Sequence, residues 1–166
     1  MKNIYLVGFM GTGKSSVGAA LAQRFDAEFM DMDTLIEERQ QRPITDIFAE
    51  CGEAYFRRQE KELLKEVSLK EQRVISCGGG IVIDPENIAL MKEKGTVVCL
   101  TARPEVILAR TRGWTHRPLL NVEDPAKEIA RLLTRRAACY AQADVTIDTS
   151  ELSLEEVVEK VAGSIG

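Results

Sequence analysis

The stretch GFMGTGKS, Gly8 to Ser15, restricts what this chain can fold into more than any other. It matches G-x-x-x-x-G-K-[ST], and it stands between a short apolar run, NIYLV, and a segment of helical periodicity, SSVGAALAQRF. Strand, glycine loop and helix in that order form an anion cradle. The glycines let backbone N–H groups curl around phosphates at the positive end of the helix dipole. Lys14 would then reach the outer phosphates and Ser15 would hold a divalent cation. An ordinary glycine turn with an exposed lysine is the competing explanation, and a full match in this context leaves it little room.

The rest of the chain supplies the sheet that such a loop needs. Strand-like runs at NIYLVG, EFMDMD, RVISCGGG, TVVCLTA and DVTIDT alternate with longer helical segments, which predicts an α/β domain with a mostly parallel sheet. Asp84 followed by Pro85 starts a helix that ends at Gly95, and Ser153 with Glu156 forms a capping box for the last helix. At 166 residues the chain is expected to form one domain over 1–166.

FMDMD, Phe29 to Asp33, carries two acids two residues apart, which on a strand would share one face about 7 Å apart. Strands of a parallel sheet are normally apolar on both faces, so these acids are not explained as wet surface. They fall at the carboxyl end of the strand, where open α/β sheets bind ligands. RVISCGGG contains no acid to complete a cation site, which makes Asp31 the best placed carboxylate and leaves Asp33 to meet an attacking hydroxyl.

Three further features suggest an anionic second substrate. Gly78, Gly79 and Gly80 leave the backbone open to close approach, although a merely flexible turn is an equal alternative. Arg57 and Glu60 are three apart on one helix face, so the acid can orient the guanidinium toward a carboxylate, with a surface ion pair as the blander explanation. Arg135 or Arg136 offers a second fork. The segment RGWTHRPLLNVED contains Arg112, His116 and Arg117 but no periodic apolar face, as expected of a closing lid over about 112–124. Trp114 within it is expected as a core anchor, and His116 as a loop residue rather than a catalyst.

Together these residues resemble the shikimate kinase family. The likeness runs through GFMGTGKSSVG, FMDMDTLIE, ITDIFAECGEAYFRRQE, VISCGGG, RPLL, RRAACY and IDT. It implies a three-layer P-loop kinase fold, a five-stranded parallel sheet of order 2-3-1-4-5 flanked by helices, and a mobile lid. It also implies transfer of the ATP γ-phosphoryl group to the 3-hydroxyl of shikimate with Mg2+, in chorismate and aromatic amino acid biosynthesis. On that resemblance Asp33, Lys14 and Arg117 are the catalytic candidates. Asp33, Arg57, Gly79, Gly80 and Arg136 would hold shikimate, and about 33–60 would form a substrate-binding helical segment. Gly11, Thr12, Gly13, Lys14, Ser15, Ser16, Arg110 and Arg117 would hold ATP, with Arg110 against adenine, and Ser15 and Asp31 would serve the metal. Cys77 stands where a small residue or Thr is expected, which raises alkylation sensitivity. The segment after IDT lacks the proline expected near adenine.

Other classes fit less well. A gluconate or nucleoside monophosphate kinase has no obvious need for paired arginines beside a glycine triplet. A guanine-nucleotide switch should carry [NT]-K-x-D, and the nearest string, NVED, lacks the lysine; a non-catalytic nucleotide-binding module should have lost Lys14, Asp33 or Arg117. With a net charge of -4 and no long basic run, nucleic acid is not an expected partner, and no apolar run is long enough for a membrane span. A cytoplasmic monomer acting on small molecules is expected, and Cys51, Cys77, Cys99 and Cys139, far apart, are expected to be buried free thiols.

Overall fold

The computed structural model describes residues 1–114, 120 and 122–166. Five strands, β1 (Asn3–Val7), β2 (Glu28–Asp31), β3 (Arg73–Ser76), β4 (Gly95–Thr101) and β5 (Val145–Asp148), form one sheet of order β2-β3-β1-β4-β5. Every pairing is parallel, so every strand ends at the same edge. The crossovers are made by α1 (Lys14–Arg24), α2 (Met32–Gln40), α3 (Ile44–Val67), α4 (Pro85–Lys94), α5 (Pro104–Thr111) and α6 (Pro125–Tyr140), and α7 (Leu154–Ile165) follows the last strand. Both the fold class and the strand order match the sequence-based expectation.

Two cores arise from the period-two alternation of the strands. Ile4, Leu6, Val74, Val98 and Leu100 pack with α1 and α7 on one face. Tyr5, Val7, Ile75, Cys77, Val97 and Cys99 pack with α2, α3 and α4 on the other. Helix signals in the sequence appear as caps: the Asp84 carboxylate accepts from Glu86 N–H ahead of Pro85, and Ser153 and Glu156 complete a reciprocal box. The long segment after β2 breaks at Pro43 and at Gly52, whose φ of 82° and ψ of 167° split α3 into two helical pieces.

Two expectations are corrected. Asp31 and Asp33 do not share a strand face. The strand ends at Asp31, whose side chain accepts from Thr34 N–H at 3.2 Å as the cap of α2, and Asp33 lies in that helix's first turn. The thiols are also not uniformly buried: Cys77 and Cys99 are, whereas Cys51 is exposed and Cys139 half-buried.

Gly95 joins β4 to β1 too closely for a side chain, since a Cβ there would fall 2.0 Å from the Asn3 carbonyl oxygen. Gly95→Ala should therefore destabilise the fold by about 1–3 kcal/mol. Urea denaturation would show this as a lower midpoint with an unchanged slope; an unshifted midpoint would mean the strands separate there without cost.

Candidate active site

The site is built on the carboxyl edge of β1, β2 and β3. After β1 the glycine loop turns into α1, with Gly13 at φ 94° as the residue before the first helical turn. Lys14 Nζ donates to the carbonyl oxygens of Gly8 at 2.8 Å and Phe9 at 3.0 Å, so it lies across the loop's concave side. Ser15 Oγ donates to Asp31 Oδ2 at 2.6 Å. Together with Asp31 Oδ1 at the α2 cap, this fixes the Asp31 carboxylate between two helix starts. Gly11 to Ser16, Asp31 and Asp33 line a cleft of about 390 Å³.

Arg110, in the last turn of α5, does not project freely into that cleft. Its Nη1 donates to Gly11 O and Thr149 Oγ1, both at 3.1 Å, and its Nη2 donates to Thr149 O at 3.0 Å. Thr149 Oγ1 in turn donates to Thr101 O at 2.9 Å. The loop is thereby tied to the ends of β4 and β5. Trp114 also lines this cleft, half-buried, and is not the core anchor expected from its aromatic side chain.

The second half of the site lies beyond Asp33. A smaller hollow of about 40 Å³ is lined by Phe48, Phe56, Arg57, Arg136 and the three glycines, and Met10, Asp33 and Gly79 border both hollow and cleft. Phosphate cradle and arginine pair therefore meet at Asp33. A larger cavity of about 550 Å³ borders the same Arg57, Glu60, Gly80 and Arg136 from another side.

Each arginine is held by a different device. Arg57 Nη1 donates to Glu60 Oε1 at 3.1 Å and Nη2 to Glu53 Oε1 at 3.2 Å, with its guanidinium 5.3 Å from the Phe56 ring centre. Arg136 is 3% exposed, stands 5.8 Å from the Phe9 ring centre, and its Nη1 has no partner among the described residues. A buried guanidinium nitrogen without an acceptor is costly unless a ligand supplies one. Arg135, its neighbour, is exposed.

The glycine triplet is explained by space. A Cβ on Gly78 would lie 2.5 Å from Glu60 Oε2 and 3.0 Å from Asp33 Oδ1, and one on Gly80 would lie 2.3 Å from Arg57 Nη2. On Gly79 it would meet only ordinary contacts. The outer two glycines thus let Asp33, Glu60 and Arg57 crowd against the backbone. Glu60 is 1% exposed, and burial, opposed by Arg57 and reinforced by Asp33, pushes its carboxyl up to about 7.

Sequence reasoning misses two contributors. Tyr140, four residues after Arg136, donates to Gly79 O at 2.5 Å; burial raises its phenol to about 12, so it stays a donor. Thr149, in IDT, is the latch under the glycine loop; its only sequence signal is a hydroxyl at a strand end. The alkylation sensitivity expected of Cys77 is not supported, since the thiol is 2% exposed and burial raises its pKa. Arg117 and His116 lie outside the described residues.

Known proteins similar to this chain in sequence and fold point to one family. A family model described as shikimate kinase matches residues 10–165. A shikimate kinase from Thermodesulfovibrio yellowstonii is 45% identical over 97% of this chain and 93% of its own. Among solved structures, shikimate kinase from Acinetobacter baumannii in complex with shikimate superposes with a TM-score of 0.94 at 37% identity, covering 98% of this chain and 91% of that one. Shikimate kinase from Aquifex aeolicus gives 0.86 at 40% identity, over 98% and 95%. With a family match along nearly its whole length, this chain belongs to the shikimate kinase family.

Proposed function

We propose that the chain transfers the γ-phosphoryl group of ATP to the 3-hydroxyl of shikimate, giving ADP and shikimate 3-phosphate on the route to chorismate and the aromatic amino acids. One observation supports this above the rest: Asp33 and Gly79 line both the phosphate cleft and the arginine hollow. A donor phosphate and an acceptor hydroxyl can therefore meet in one place.

ATP lies along Gly11, Thr12, Gly13, Lys14, Ser15 and Ser16, with Lys14 meeting the outer phosphates and Arg110 beside the adenine end. Shikimate places its carboxylate on Arg57 and Arg136, against the backbone of Gly79 and Gly80. Asp33 receives the acceptor hydroxyl's proton or orients that hydroxyl. Arg117, on the lid, meets the transferred group, and closure of that lid keeps out competing water.

The donor set beside the loop suits Mg2+. One hydroxyl, Ser15, and one carboxylate, Asp31, lie together at 2.6 Å, and no group of three or more His, Cys, Asp or Glu among the described residues could form an all-protein cage. Mg2+ favours such a sparse set, completing its shell with water and substrate phosphates. Bound there, it would neutralise phosphate charge. Among the described residues no helix is long and apolar enough to cross a membrane. The working form is a cytoplasmic monomer.

ADP release measured against shikimate, gluconate and nucleoside monophosphates tests the assignment: turnover with shikimate is expected, and turnover only with the others would overturn it. Asp33→Asn should bind ATP normally and lose about 10²–10⁴-fold in kcat; wild-type turnover would remove Asp33 from the mechanism. Arg136→Ala should raise KM for shikimate roughly tenfold to hundredfold while kcat changes less. Gly80→Ala should fold normally, because what it meets is the guanidinium end of the Arg57 side chain rather than backbone, yet raise KM at least about threefold by displacing that group. An unchanged KM in either variant would argue against the carboxylate site.

A further inference from the structure

Glu60 has a problem that its role as an orienter of Arg57 does not resolve. It is 1% exposed, its Oε1 accepts from Arg57, and its Oε2 has no donor among the described residues. The missing side chain of Gly78 lets that oxygen and Asp33 Oδ1 close in on the same point, where like charges oppose each other. Among the described residues Arg57 is the one cation paired with Glu60, and it is shared with Glu53.

The groups facing Glu60 can be counted by element. From α3 comes Arg57, from α2 Asp33, from α6 Arg136, and from the end of β3 the neutral Cys77 thiol, while Glu53 reaches this cluster through Arg57. Two guanidinium groups thus face Glu60 and Asp33 before the acceptor arrives, and one of them is shared with Glu53. An acceptor carboxylate adds a fourth anion and draws on the same two cations. Glu60, buried and with one oxygen lacking a donor among the described residues, is then the carboxylate whose charge becomes hardest to keep.

We propose that binding of the anionic acceptor is coupled to protonation of Glu60: as the acceptor carboxylate takes over Arg57, the Glu60 carboxylate takes one proton from the solvent buffer and becomes a neutral carboxyl. This rests on the assignment of Arg57 and Arg136 to the acceptor carboxylate. Glu60 is then a positioning residue whose proton state sets acceptor affinity. Because its carboxyl already titrates at about 7, both forms are present at neutral pH and binding shifts the balance. The sign is fixed: binding takes up a proton, so affinity falls as pH rises through the neutral range.

Titration calorimetry with shikimate at about pH 7, in PIPES and in imidazole, reads the coupling directly, since these buffers differ in ionisation enthalpy. Uptake of roughly half a proton per shikimate bound is expected for wild type, and Glu60→Gln should bring it close to zero. Buffer-independent heat in wild type would overturn the proposal, as would an undiminished uptake in Glu60→Gln. Should that variant not fold, the wild-type pH profile decides: KM for shikimate should rise about threefold or more between about pH 6.5 and pH 8.5 without a matching fall in kcat, and a flat KM would overturn it. A complete absence of shikimate binding is a different result, and it would remove the acceptor assignment itself.

Discussion

Strand β1 is hydrogen-bonded in parallel on both sides, to β3 and to β4, and the site depends on that central position. Parallel pairing brings the ends of β1, β2 and β3 to one edge, so the glycine loop, the Asp31 cap and the glycine triplet emerge side by side. The backbone registers Asp31 against Ser76 and Leu6 against Ser76, which sets the lateral spacing before any side chain is considered. On the proposed assignment the chemistry is divided along the edge, with phosphate at the loop leaving β1 and the acceptor at the segments leaving β2 and β3.

Several polar contacts keep that edge rigid. Ser15 to Asp31 links the start of α1 to the start of α2, and Arg110 with Thr149 links the glycine loop to β4 and β5. Tyr140 links α6, which carries Arg136, to Gly79. These bonds lie largely between elements and tie the donor side to the acceptor side. Charge-assisted or part-buried hydrogen bonds of this kind hold geometry more tightly than exposed pairs such as Arg39 with Glu66.

Features with a local physical cause are legible in the sequence. The phosphate loop, the Asp84–Pro85 helix start and the Ser153–Glu156 box each depend on a few consecutive residues, and strand order is implied by the family likeness. Contacts made across the fold are not legible. The alternation of FMDMD suggests a strand through Asp33, but the Asp31 side chain caps α2 and starts the helix before that residue is reached. The glycine triplet suggests open backbone, whereas Gly78 and Gly80 are also required by Glu60, Asp33 and Arg57, which arrive from two other helices. Thr149 and Tyr140 are ordinary residues in sequence, and only the packing of β5 and α6 gives them partners.

The cleft beside the glycine loop and the arginine hollow meet at Asp33, and on the proposed assignment the phosphoryl group goes to the hydroxyl that faces this residue. Phosphorus-coupled proton NMR of the product from ATP, Mg2+ and shikimate tests it most directly. A single ester on the 3-hydroxyl is expected. An ester on another hydroxyl, or inorganic phosphate with shikimate unchanged, would contradict it.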